Sequence, residues 1–227
     1  CKNNQACVVA ADCLTGGCSV ALGNKCAPPS CATAEVAGIN SCGAKETGQA
    51  GAVHDSCCTS LVLPTRTTKR LDKYEITAGR IRAFIAALPE SNLRKFAKDF
   101  AAAHPDSELG KLEKDFPKYL DTLPATATGG ATELPIWLGA FPNDAINPLD
   151  GCYVNNDGFG AATYWQEAEV LKTYGIGYNA DPKKPGDGKR KYSSAILDTK
   201  PANCMPPVLL AAFCAWDGGE LARPSAY

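Results

Sequence analysis

The chain has 227 residues, 45 % of them hydrophobic, which is enough for one domain of ordinary size with a small appendage. Its formal net charge is -1, from 23 basic and 24 acidic residues, so the bulk charge gives no reason to expect nucleic acid or an anionic membrane as a partner. No apolar run reaches the roughly 18 residues that a membrane-spanning helix needs. We therefore expect a globular protein and exclude nucleic acid from its predicted partners.

Cysteine is unusually frequent, with twelve residues against a single methionine. Thiols at this density persist as disulfides only outside a reducing cytosol, so the composition predicts an exported protein in the extracellular space or on the outer cell surface. A cysteine at position 1 is also typical of a processed bacterial lipoprotein, and lipidation of Cys1 is kept as an alternative. The candidate disulfide residues are Cys1, Cys7, Cys13, Cys18, Cys26, Cys31, Cys42, Cys57, Cys58, Cys152, Cys204 and Cys214.

The cysteines divide the chain unevenly, with nine before residue 60 and three after it. In residues 1–31 only four to seven residues separate successive cysteines, too few for helices or paired strands of useful length, and we predict a disulfide-rich knot. Residues 32–60 are rich in small residues and are predicted to be a connector pinned by its cysteines. Since adjacent cysteines rarely bridge each other, Cys57 and Cys58 should tie this connector to two different places. Both counts are odd, so full pairing requires at least one disulfide between the two regions.

From residue 61 to residue 227 the pattern predicts a mixed globular domain. Apolar and polar side chains alternate in residues 71–77, as in a half-buried strand. Thr77 can cap the following helix, which Pro89 ends, and the lysines and acidic residues of this region are interpreted as solvated helix faces. The apolar stripe of this helix consists of Ile81, Phe84, Ile85 and Leu88.

Three further helices are predicted. The first covers residues 92–104, with Leu93, Phe96 and Phe100 inward, and the second covers residues 107–116, with Leu109, Leu112 and Phe116 inward, before Pro117. The third begins near Pro207 and ends at Gly218 or Gly219 in the left-handed conformation. Its apolar face is Leu209, Leu210, Phe213 and Trp216. Trp216 is interpreted as a packing residue and not as a ligand.

Few residues are candidates for chemistry. Residues 122–196 predict long surface loops, where binding residues usually lie, and the charged run 181–191 within them is interpreted as an exposed loop. His54 and His104, the two histidines, lie in the connector and at a helix end, and the oxygen-rich segment 155–158 has too few following acids for a calcium loop. We therefore predict no catalytic residue, no metal ligand and no cofactor, and a structural role for the adjacent cysteines.

Two segments carry specific signatures. Residues 71–85 read LDKYEITAGRIRAFI, while residues 201–204 and 211–219 read PANC and AAFCAWDGG. In this order and at this distance, they resemble two signatures in the amino-terminal half of the formylglycine-generating-enzyme, or sulfatase-modifying-factor, domain family. The cysteine-rich head, which ends in DSCC at residues 55–58, also resembles the head of secreted bacterial members.

The resemblance implies an α+β fold, a partial C-type-lectin-like domain preceded by a small disulfide-rich head. The family's activity is a copper-dependent oxidation of a substrate cysteine to formylglycine. The sequence departs from the family pattern after Gly219, and no residue matches the reactive cysteine pair, so the resemblance implies no catalytic residue here. The hairpin that the family places before its first strand is reduced to residues 61–66. By the same resemblance we expect Cys152 to pair with Cys204, which leaves Cys214 as the odd cysteine.

Three hypotheses of function remain. The first, which we favour, is a non-catalytic extracellular module for binding or structure, whose partner is a protein or a carbohydrate at the cell surface. The second is a fragment of a copper-dependent formylglycine-generating oxidase, with its carboxy-terminal half on a separate or missing chain. The third is a subunit of an extracellular filament or surface layer, linked covalently to its neighbours.

Overall fold

The computed structural model describes residues 6, 17–19, 25–33, 42–43, 55–64, 66–125, 198–202, 205 and 207–221. Predictions for most of the loop-rich region lie outside the described residues, as do those for His54, Cys152 and Cys204. The described part belongs to the α+β class, with two small antiparallel sheets and five α-helices. None of the helices in this part is long and apolar enough to cross a membrane.

The head contains a short strand pair and one short helix. Strand β1 (Gly17–Ser19) pairs antiparallel with β2 (Lys25–Ala27), so that Cys18 lies opposite Cys26. Helix α1 (Pro29–Thr33) follows directly and has a proline at its first position, where a missing N–H has no consequence. The strands have three residues each and α1 has five, so the paired strands and the helix of this segment are short.

A β-hairpin opens the second region. Strand β3 (Ser60–Leu63) pairs antiparallel with β4 (Arg66–Asp72), and the register shifts between Val62 and Leu63. A hairpin therefore does precede the first helix of the body. It includes residues of the segment 61–66, to which the family's hairpin was expected to be reduced. The strand predicted over residues 71–77 is wrong in position, because β4 ends at its second residue.

The reason for this shift is a distant partner. The backbone of residues 76–79 is bonded to residues 198–202, and Thr77 forms an isolated antiparallel bridge with Pro201. The chain must leave the hairpin after Asp72 to reach that partner. The residues that alternate between apolar and polar, 71–77, thus pair with two different segments: the first two with β3 and the last two with residues 198–202.

The helices of the body begin and end close to the predicted residues, because three of them have a side-chain cap and the fourth begins with proline. Helices α2 (Ala78–Ala87), α3 (Leu93–Ala103) and α4 (Glu108–Asp115) are capped by Thr77, Asn92 and Ser107, whose side-chain oxygens accept hydrogen bonds from the N–H groups of Arg80, Lys95 and Gly110. Helix α5 (Pro207–Trp216) begins with proline. These four predictions are confirmed.

The core lies where α2, α3, α4 and α5 meet, and Phe84 is at its centre. The ring of Phe84 lies 5.7 Å from that of Phe96, 5.8 Å from that of Phe213 and 5.3 Å from that of Trp216, distances typical of favourable aromatic contacts. Leu209 of α5 is fully buried beside them, whereas Leu210 is only half-buried. The interpretation of Trp216 as a packing residue is confirmed.

The inward position predicted for Phe116 is wrong, because this side chain is 63 % exposed. Helix α4 ends one residue earlier, and the chain then turns through Lys118, whose φ is 100°. Leu120 and Leu123, which follow the turn, are fully buried and belong to the core cluster. The apolar residues that this segment contributes to the core are therefore Leu120 and Leu123 and not Phe116.

Candidate functional site

An arginine lies buried between the head and the body. Arg80, in the first turn of α2, is 1 % exposed and donates three charge-assisted hydrogen bonds to side chains. Its Nη2 lies 2.8 Å from Asp217 Oδ2, its Nη1 lies 2.9 Å from Asp72 Oδ2, and its Nε lies 2.8 Å from Ser30 Oγ. We call these four residues the Arg80 cluster.

The cluster joins elements that are remote in sequence. Ser30, in α1 of the head, donates from its N–H to Asp217 Oδ1 at 2.7 Å and from its hydroxyl to Asp217 Oδ2 at 2.9 Å. Asp217 therefore receives donors from the head and from α2. Because these donors lie on two different elements, the carboxylate fastens α1 to the helical body.

Backbone geometry fixes the position of Asp217. Gly218 has a φ of 80°, and the N–H of Gly219 donates to Cys214 O at 2.7 Å, so α5 ends in a Schellman motif. The left-handed glycine predicted from the sequence is confirmed at this position. A carboxylate at a helix carboxyl end is disfavoured by the helix dipole, and the guanidinium of Arg80 offsets that repulsion.

The electrostatics of the cluster keep the guanidinium charged. Burial lowers the pKa of Arg80, but the carboxylates of Asp217 and Asp72 outweigh this effect, and the net result is a raised pKa. A buried, permanently charged cation between two carboxylates is typical of a structural tie. Nothing in the sequence analysis assigned a role to Arg80.

Two disulfides lie next to this cluster. Cys31, which follows Ser30 in the chain, is bonded to Cys58, and Cys42 is bonded to Cys57. The prediction that the adjacent cysteines have different partners is confirmed. One bridge links the connector to the end of the head, and the other closes a loop within the connector.

Cys214, on α5, is the free cysteine of the described residues. Burial raises the pKa of its thiol to about 12, and the carboxylate of Asp217 acts in the same direction. The thiol is therefore protonated at neutral pH and is a poor nucleophile. Cys214 was among the candidate disulfide residues and is free in the structure, while the expected pair of Cys152 and Cys204 lies outside the described residues.

A second charged group lies on the surface of the connector. Asp55 Oδ2 accepts hydrogen bonds from Lys73 Nζ and from the Tyr74 hydroxyl, both at 2.9 Å. These contacts lower the pKa of Asp55 to about 2; the hydrogen bond from Lys73 has the largest effect and that from Tyr74 the second largest. Asp55 also forms an isolated bridge with Cys42, so this group holds the connector against the end of β4.

An open cleft of about 600 Å³ lies between the turn that joins α3 to α4 and the carboxyl end of α5. Its floor includes Phe100, Leu109, Ala211 and Ala215, and its rim includes His104, Asp106, Glu108 and Glu220. The backbone N–H of Leu221 donates to Glu108 Oε2 at 3.2 Å, which holds the end of the described chain against α4. We call this depression the acidic cleft.

The predicted site residues are thus placed in part. His104 is the C-cap of α3, stacks on Phe100 with ring centroids 4.5 Å apart, and lies on the rim of the acidic cleft. Among the described residues, no group of three or more His, Cys, Asp or Glu side chains is arranged to hold a metal ion. No role was predicted for Arg80 or Asp217. The sequence does contain one indication that Arg80 is buried, because it lies four residues before Phe84 and therefore on the apolar side of its helix.

No protein-family model, no curated protein and no solved structure matches this chain. The resemblance to formylglycine-generating-enzyme domains therefore stays a prediction, supported by the two sequence signatures alone.

Proposed function

We propose that this protein is a secreted, non-catalytic extracellular module that binds a partner at the cell surface. The observation that carries the proposal is the double attachment of the head at α1. Ser30 is bound to Asp217 and Arg80 of the body by buried hydrogen bonds, and the next residue is covalently bonded to Cys58. A module held in this way is suited to an oxidising environment without chaperones, and disulfides are compatible with an extracellular location.

The non-catalytic character of the proposal has its own support. Disulfides engage Cys26, Cys31, Cys42, Cys57 and Cys58, and the thiol of Cys214 has a pKa of about 12, so these sulfurs supply no thiolate at neutral pH. Arg80, Ser30 and Asp217 are buried, only Asp72 of the Arg80 cluster reaches solvent, and the members are bonded to one another, which suits fastening better than turnover. A partial C-type-lectin-like arrangement of the body, as the sequence signatures imply, belongs to the same proposal.

Alkylation without reductant tests the oxidised module. We expect one monomeric mass, with Cys214 labelled once the protein is denatured. Cys31, Cys42, Cys57 and Cys58 should be labelled only after reduction. Labelling of these four in unreduced protein purified from the medium would refute the proposal.

The same intact mass separates the other two hypotheses. A covalently attached second fragment would support the oxidase, and a ladder of disulfide-linked multimers would support the filament subunit. A direct assay adds to this: we expect no formylglycine when the protein is incubated with copper and a cysteine-containing peptide. Formation of the aldehyde would refute the non-catalytic reading.

A further inference from the structure

We propose that the acidic cleft binds an arginine or lysine side chain presented by an extended segment of a partner protein. This inference rests on the proposed function as a binding module and names the class of partner. It is carried by the shape of the cleft, the chemistry of its floor and the sign of the charges around it.

The cleft has the shape of a site for a protruding side chain. Its volume of about 600 Å³ lies within the usual range of binding clefts, and it opens to solvent along one side. The walls come from two separate parts of the fold, the turn after α3 and the end of α5. An extended chain could lie across this opening with one side chain inserted.

The floor of the cleft is apolar. Phe100 and Leu109 come from α3 and α4, and Ala211 and Ala215 come from α5. The small alanine side chains leave room beside the Phe100 ring. Arginine and lysine bury their aliphatic stems on such surfaces while the charged group stays at the rim.

The rim selects a cation. Among the described residues that line the cleft, three carry carboxylates, namely Asp106, Glu108 and Glu220, and one, His104, is basic. Asp106 and Glu220 line the cleft and are exposed, so a cationic group from solvent can approach both carboxylates. Since the net charge of the chain is only -1, this concentration of negative charge is local.

The helix ends act in the same direction. The carboxyl ends of α3 and α5 both lie at the cleft, and helix carboxyl ends favour cations. The amino end of α4, which would favour an anion, already has the Ser107 hydroxyl as its cap and Glu108 in its first turn. The charges of the side chains and of the backbone therefore agree.

Binding of short blocked peptides tests the inference. The probes are five glycine peptides with arginine, lysine, citrulline, norleucine or glutamate at the central position, titrated into the full oxidised chain at low salt and followed by NMR. We expect the arginine and lysine peptides to bind with a Kd on the order of 1 mM, as suits one side chain, and to shift the signals of His104 and Glu220. Citrulline, which keeps the shape of arginine without its charge, should bind at least about tenfold more weakly, and added salt should weaken the arginine peptide.

A pair of double variants provides the control. Asp106→Asn with Glu220→Gln removes two rim charges, while Asp99→Asn with Asp115→Asn removes two exposed charges of α3 and α4 that do not line the cleft. We expect the first to weaken the arginine peptide about fivefold or more and the second to leave it nearly unchanged, with the same urea midpoint for both.

Several outcomes would overturn the inference. They are equal binding of citrulline and arginine, absence of binding by every peptide, and equal effects of the two double variants. Tighter binding of glucosamine, a cationic sugar, than of the arginine peptide would also overturn it, in favour of a carbohydrate partner. Failure here is distinguishable from failure of the proposed function, because the disulfide labelling pattern does not depend on the cleft.

Discussion

Replacing Arg80 by methionine removes the cation of the Arg80 cluster and keeps a side chain of similar length. The carboxylate of Asp217 then stays buried, with its side chain 7 % exposed, and only Ser30 still donates to it. The carboxylate of Asp72 is 39 % exposed and can be solvated after the change. The free energy of unfolding should therefore fall mainly because one carboxylate loses its buried counter-ion.

The size of the effect follows from these exposures. Removing one partner of a buried ion pair costs about 3–5 kcal/mol, and the two remaining donors to Asp217 place the expected loss near the lower end, about 3 kcal/mol. The half-exposed pair with Asp72 adds at most about 1 kcal/mol, since solvent screens it. A loss of this size is a large fraction of the stability of an ordinary domain.

Equilibrium unfolding in urea, with the disulfides intact, measures the loss. The matched control is Lys95→Met, which breaks an exposed ion pair with Asp99 one helical turn away and should cost no more than about 0.5 kcal/mol. The double variant of Arg80→Met and Asp217→Asn should be more stable than the sum of the single losses predicts, because it no longer leaves an uncompensated buried charge.

The reasoning would be refuted by either of two results. One is a loss for Arg80→Met within about 0.5 kcal/mol of the loss for Lys95→Met, which would mean that the buried cation contributes no more than a surface one. The other is simple additivity of the Arg80 and Asp217 substitutions, which would mean that the two side chains are not coupled in solution.

Three other measurements test separate parts of the fold. In the native protein at pH 8 the Cys214 thiol should resist iodoacetamide, because its pKa is about 12, and it should react once urea unfolds the chain; equal rates would contradict its burial. The carboxyl of Asp55 should titrate near pH 2 by NMR, and Lys73→Met should move this midpoint toward 3.8. The stability that this carboxylate contributes is present above pH 3.8 and is lost as the pH falls through about 2. An unchanged midpoint in Lys73→Met would argue against the contact. In urea unfolding, Phe84→Ala should cost about 3–5 kcal/mol and Phe116→Ala less than about 0.5, whereas similar costs would contradict the two burials.

The helices of the body were predictable because their signals are local. Thr77, Asn92 and Ser107 each stand directly before an apolar stripe of helical period, and each is a cap in the structure. Pro207 and Gly218 mark the two ends of α5 in the same way. A cap needs only the residues of its own first turn, so a single sequence contains the whole of the information.

The hairpin and Phe116 were not predictable for the opposite reason. The end of β4 depends on residues 198–202, more than a hundred residues away, which take the backbone partners of residues 76–79. Phe116 has the correct helical spacing but is exposed, and Leu120 and Leu123 are the residues of this segment that are buried in the core. Periodicity describes which face of an element is apolar, and it does not describe which of several apolar residues fills a given space.

The candidate site combines a predictable part with an unpredictable one. The rule about adjacent cysteines predicts that Cys57 and Cys58 have different partners but does not identify Cys31 as one of them, and the bond between Ser30 and Asp217 joins residues 187 positions apart. Arg80 lies on the apolar side of its helix, and a charged side chain in that position indicates that another part of the fold must contain its counter-ion. It does not identify that counter-ion, because ion pairing depends on tertiary contacts.

The two attachments of α1 act on different states of the chain, which explains why both are present. The disulfide of Cys31 stabilises mainly by restricting the unfolded chain, by about 3–4 kcal/mol for the 27-residue separation, and it does not by itself fix the orientation of the head. The hydrogen bonds of Ser30 to Arg80 and Asp217 exist only in the folded state, and their directions fix how α1 lies on the body. Together they give the head a fixed orientation on the body as well as a covalent connection to the connector.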